Sequence, residues 1–131
     1  MRTTLKGAIL ACLFLLPNLS PLHAQTTLKS QNPTNTELIK YLSDVFGTDM
    51  PHMYAIFSCE SGRMQWRQDG SVVRSTTKDV GIAQVHLPIW KNKADELGLD
   101  IIGSWKENIL MARHIWEVQG LTAWVCFLKV A

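Results

Sequence analysis

The sequence predicts a small α+β domain that is mostly α, and three observations carry that expectation. Four segments place apolar residues at helical spacing, and each is followed by a glycine: Gly47, Gly62, Gly98 and Gly120. The stretch from Arg63 to Val85 lacks that period and is rich in turn formers, so it reads as a small irregular β-region set among helices. A length of 131 residues leaves room for one domain, and the first two dozen residues do not belong to it.

Those opening residues read as a secretory signal, residues 1–24. Arg2 and Lys6 form a basic start, Gly7 to Leu16 an apolar core, and Pro17 to Ala24 a polar end closing on a small residue before Gln25. Pro17 interrupts the apolar run well short of the ~20 residues a membrane span requires, so no integral membrane anchor is expected in the mature chain. A lipoprotein signal ending at Cys12 is the rival reading, but it would leave too short an apolar stretch. Removing the leader leaves 107 residues with eleven basic and eleven acidic side chains, because both lost charges are basic. A formally neutral domain gives no reason to expect nucleic acid as a partner.

Residues 25–35 are Thr, Ser, Asn, Gln and Pro with few apolar side chains, which predicts a mobile arm. The domain proper then covers residues 36–131. Its first helix runs from Thr36 to Phe46, capped by Asn35 or Thr36, with Leu38, Ile39, Leu42, Val45 and Phe46 as the buried stripe. A second helix spans Met50 to Ser61, opened by Thr48 or Asp49 with Pro51 in its first turn and stopped by Gly62. In the β-region, Asp69-Gly70 is a hairpin-type turn signal, followed by the β-favouring pairs Val72-Val73 and Thr76-Thr77. A third helix is expected over Pro88 to Leu97. A fourth opens at Ser104 with a Ser-x-x-Glu capping box and runs to Gln119, with Ile109, Leu110, Ala112, Ile115, Trp116 and Gln119 near one face.

Cys59-Glu60-Ser61-Gly62 places an acid in the last turn of an apolar helix, at the edge of its buried face. The negative end of the helix dipole and partial burial both disfavour the charged form, so the pKa of Glu60 should rise, as suits a general acid. Cys59 and Cys126 are the two cysteines left after the leader is removed, and an even number in an oxidising compartment predicts a disulfide. In the chain-entropy model such a bridge across a long loop stabilises by about 4 kcal/mol. Two buried free thiols are the other possibility.

Downstream of Glu60 come Asp69-Gly70-Ser71, then Gly81-Ile82-Ala83-Gln84-Val85, then Asn108 in a long helix, then Gly120 and Trp124. That order, over roughly Thr36 to Cys126, resembles the lysozyme-like lytic transglycosylases, the SLT-domain group related to goose-type lysozyme. The resemblance implies a lysozyme-like fold with a helical core and the β-region beside an active-site cleft. It implies Glu60 as catalytic acid and base. Ser61, Gly81, Gln84, Val85 and Asn108 become substrate contacts, and Trp66, in the loop after Glu60, is the tryptophan best placed as a sugar platform. The chain departs from the group at Ala83, where methionine is usual, at His86, where asparagine or aspartate is common, and at Thr122 to Cys126, which replace a tyrosine-bearing motif.

Cleaving a β-1,4 bond between aminosugars needs a proton on the leaving oxygen and stabilisation of an oxocarbenium-like centre. The transglycosylase route uses the substrate's own N-acetyl group for the second task and ends in a 1,6-anhydro-muramoyl residue. A muramidase would need a second carboxylate, for which Asp69 and Asp79 are the candidates. An inactive module that binds glycan strands or docks on a secretion apparatus is the reading from outside enzymology. The expected partner is the peptidoglycan glycan strand, met by a monomer in the periplasm or outside the cell. No cofactor is expected, and no metal, since His52, His86 and His114 show no ligand spacing.

Overall fold

A computed structural model describes residues 31–131. The predicted leader and most of the predicted arm lie outside those residues. The described chain is mostly helical with one two-stranded ribbon, the α+β architecture expected. Helices α1 (Asn35–Phe46) and α2 (Met50–Ser61) are followed by an irregular segment, strands β1 (Asp79–Val80) and β2 (Val85–His86), and helices α3 (Leu87–Glu96), α4 (Trp105–Gln119) and α5 (Phe127–Val130). Among the described residues no helix is long and apolar enough to cross a membrane.

The bounds of α2 are those the sequence predicts, and Gly62 closes it in the left-handed conformation, φ 65°. Helix α1 begins one residue early. Its cap is Thr34, not Asn35 or Thr36: the Thr34 hydroxyl accepts from the Glu37 N–H while the Glu37 carboxylate takes the Thr34 N–H, a reciprocal capping box. At α4 only half of the predicted box forms. Ser104 caps the Glu107 N–H, but the Glu107 carboxylate reaches the Asp100 N–H instead.

The core lies where α1, α2 and α4 meet. Leu38, Leu42 and Phe46 of α1 pack with Met53, Ile56 and Phe57 of α2 and with Ile109, Met111, Ala112 and Ile115 of α4. Edge-to-face contacts of Phe46 with Phe57 and Trp116, and of Phe57 with Trp124, tie the three helices together. Full burial of each large aliphatic or aromatic side chain contributes about 1.5–3 kcal/mol. Two expected core positions face out instead: Ile39 is 40% exposed and Leu110 39%, because the stripes are narrower than sequence periodicity suggests. Met111 is buried in place of Leu110.

The predicted arm is not free at its inner end. The Asn32 side chain accepts the N–H groups of Gln65 and Trp66 and donates to the Trp66 carbonyl, 2.7 to 2.9 Å, stitching the chain before α1 to the irregular segment. The turn at Asp69-Gly70 forms as expected, with Asp69 accepting from the Ser71 N–H and hydroxyl, and Trp66 bridging Val72 across it. Thr76-Thr77, expected as strand, is a turn that leads into β1.

Candidate active site

Helical spacing places Glu60 directly beyond Ile56 and Phe57, both buried, so its side chain emerges at the rim of the core. There the Cys126 N–H donates to Glu60 Oε1 at 3.2 Å. The Cys59–Cys126 disulfide, present as predicted with the Cα atoms 5.9 Å apart, holds that donor beside the acid. Burial raises the Glu60 pKa. The Cys126 hydrogen bond opposes the shift, the charge of Asp79 adds to it and Lys129 opposes it, with a net rise. The direction is the one the helix position predicts, and the Asp79 carboxylate is a cause the sequence did not disclose.

Asp79 and His86 are opposite one another in the register of β1 and β2. The short loop between the strands therefore sets their side chains side by side, and His86 Nδ1 lies 2.8 Å from Asp79 Oδ1. The other carboxylate oxygen of Asp79 accepts the hydroxyls of Ser75 and Thr77. Burial by itself would raise the pKa of Asp79, but the hydrogen bonds from Ser75, Thr77 and His86 outweigh it and hold the group below its ordinary value. Asp79 is thus an ionised carboxylate lining the same cavity as Glu60, whose protonated form burial favours. Pairs pushed apart in this way can divide acid and base roles.

Glu60, Asp79 and His86 line one cavity of about 110 Å³. Gln84 of the loop between the strands and Trp90 of α3 complete one side, Ile115 and Gln119 the α4 side, and Ala123 to Val125 the C-terminal side. Larger hollows exist, one of about 330 Å³ beside Lys91 and Asp95 and one of about 460 Å³ beside Asp69. Neither holds these three groups, so chemistry and not size marks the site. Among the described residues no group of three or more His, Cys, Asp or Glu is arranged to hold a metal ion.

Most of the other expected site residues are elsewhere. Asn108 is fully buried: its Nδ2 donates to the carbonyls of Val80 and Ile101, and its Oδ1 accepts from the Ala83 N–H. Ser61 donates to the carbonyls of Phe57 and Ile82. Gly81 and Val85 are buried. The φ of Gly81 is +78°, and a Cβ there would lie 2.3 Å from Asn108 Nδ2. Its freedom serves the approach of Asn108, not of a ligand. Trp66 is 7% exposed and belongs to the core, so it cannot present a face to sugar. Asp69 sits in an exposed turn away from the cavity. Of the expected substrate contacts, Gln84 alone reaches the cavity, and its Nε2 is bound to the Gly81 carbonyl at 2.8 Å.

Ser61 and Asn108 instead belong to a polar hub, together with a residue the sequence did not single out. Gln65, fully buried, accepts the Ile82 N–H and donates to the carbonyls of Ile101 and Ile102. Trp124 Nε1 donates to the Ala83 carbonyl at 2.9 Å. The loop of residues 81–84 is thereby held through its backbone from α2, α4, the irregular segment and the C-terminal region.

No family model, curated protein or solved structure matches this chain.

Proposed function

We propose that the protein is a peptidoglycan lytic transglycosylase, with Glu60 as the acid that protonates the leaving oxygen of the MurNAc-GlcNAc β-1,4 bond. The observation that carries this reading is Glu60 itself. It is a half-buried carboxyl with a raised pKa, opening into the cavity that an ionised Asp79 also lines. A carboxyl whose protonated form is favoured by burial is what leaving-group protonation demands. Indole and amide groups on the walls, from Trp90, Gln84 and Gln119, suit a hydroxylated ring.

Asp79 supports the route without a second carboxylate. Both of its oxygens are already engaged by Ser75, Thr77 and His86, which leaves it poorly suited to attack an anomeric carbon. The substrate's N-acetyl group then stabilises the cationic centre and the C6 hydroxyl closes the 1,6-anhydro ring. In the simplest form of this route Glu60, left as a carboxylate, takes the hydroxyl proton. A hydrolase is the second reading, favoured by one observation: Asp79 lines the same cavity as Glu60, where it could orient a water. In either case the partner is the glycan strand, and the place of action is the periplasm or the cell exterior.

Digestion of cell-wall sacculi in isotopically heavy water, followed by mass spectrometry, separates the two. Anhydro-muramic ends without heavy oxygen are expected, whereas heavy oxygen in each new reducing end means hydrolysis. Intact sacculi would leave neither reading standing.

A further inference from the structure

The histidine at position 86 has no role in that reading, yet its surroundings give one of its ring nitrogens a defined partner. Its Nδ1 faces an oxygen of Asp79 at 2.8 Å. An ionised carboxylate can only accept, so the hydrogen between them belongs to the ring nitrogen. A neutral imidazole with its hydrogen on Nδ1 carries its lone pair on Nε2. Among the described residues His86 makes no other side-chain hydrogen bond, and the ring forms part of the wall of the Glu60 cavity.

We propose that His86 is the catalytic base of the site, with Asp79 as the residue that fixes its tautomer. This rests on the transglycosylase reading and divides its proton transfers between two groups. The C1–O4 bond breaks as the Glu60 proton passes to O4. The C6 oxygen bonds to C1, and its proton passes to Nε2 of His86. The imidazolium, facing the Asp79 carboxylate, then returns a proton to the Glu60 carboxylate through solvent, which restores both groups and consumes no water. The arrangement of carboxylate, imidazole and substrate hydroxyl has the logic by which a buried aspartate sets the tautomer of a catalytic histidine.

Two features of the chain build this base. Opposite register of Asp79 and His86 requires the short loop 81–84, and that loop is locked by Gln65, Asn108 and Trp124. Ser75 and Thr77 occupy the far oxygen of Asp79, which orients the near one toward the ring. A histidine that served only to fill space would not need its partner so fully anchored.

The test has one arm independent of activity and one that depends on it. Long-range ¹⁵N–¹H spectra of the wild-type protein, with the His86 signals assigned by their loss in His86→Gln, report the tautomer. The Nδ1–H form is expected, and the Nε2–H form would overturn the proposal. In the second arm, His86→Ala is expected to lower kcat on glycan strands by about 10²- to 10⁴-fold with KM nearly unchanged. Added imidazole should restore part of the loss. If wild type releases anhydro-ended fragments and His86→Ala matches its kcat, or loses activity that imidazole cannot restore, His86 is not the base although the transglycosylase reading stands. A wild type that cleaves nothing fails that reading itself. Should His86→Ala not fold, the wild-type tautomer decides.

Discussion

The buried hub and the acid cavity draw on the same parts of the chain, yet they use polar atoms in opposite ways. In the hub, the side chains of Ser61, Gln65 and Asn108 direct their nitrogen and oxygen atoms at backbone partners, and none of their buried atoms is left without one. In the cavity, Glu60 has a single backbone donor at 3.2 Å, and the His86 ring has one side-chain partner. Complete satisfaction makes a buried polar cluster rigid. Partial burial with bonding capacity to spare shifts protonation equilibria and leaves groups able to react.

The sharpest way to break the contrast is Glu60→Gln. It keeps the size of the side chain and removes the acid, so release of muropeptides should fall by at least about 10²- to 10⁴-fold. Circular dichroism should stay as in wild type, and the variant should melt no lower than wild type. Near-normal turnover would end the assignment of Glu60.

The hub should respond in the reverse sense. Asn108→Ala strands the Ala83 N–H and removes a donor from the Val80 and Ile101 carbonyls, all at a fully buried site. An unsatisfied buried group costs about 1–3 kcal/mol, so a stability loss of at least about 3 kcal/mol is expected from urea unfolding. A loss below about 1 kcal/mol would mean that water replaces the amide and that the hub is wetter than its burial implies.

A smaller effect concerns pH. Burial raises the folded-state pKa of Glu60 above its ordinary 4.5. Below 4.5 the carboxyl is protonated in both states and costs nothing. As pH rises through the folded-state value, the folded protein must carry a half-buried charge and stability is lost. Glu60→Gln should therefore match or exceed wild type in urea midpoint at neutral pH, with the gap closing as pH falls toward 4.5. The opposite trend would show that the Cys126 hydrogen bond outweighs burial. Smallest of all, Asp69→Asn should leave cleavage unchanged within assay error, because its carboxylate serves the Ser71 turn far from the cavity.

The helices were legible because their signals are local. Pro51 and Gly62 bracket α2, and Thr34 with Glu37 spells a capping box that competes in sequence with Asn35 and Thr36. The hub was not read from the sequence: Asn108 was expected as a substrate contact, although it shares a stripe at helical spacing with the buried Ala112 and Ile115. Gln65 and Trp66 were not legible, since an irregular segment has no period from which to read a buried face. The raised pKa of Glu60 was legible from its place at a helix end. Its neighbours Asp79 and His86 become a pair only through strand register, and Trp90, Gln119 and Val125 meet them only through tertiary packing. Neither relation is written in short-range spacing.

The hydrogen bond from Cys126 to Glu60 joins positions 66 residues apart. Chains emerge from the ribosome N-terminus first, and long-range contacts wait for their later partner. Glu60 therefore exists for a time without the backbone donor, the disulfide partner and the Trp124 anchor that later surround it. The carboxyl is made early and set late: a nascent chain interrupted before residue 126 carries Glu60 but not the hydrogen bond and the disulfide that surround it.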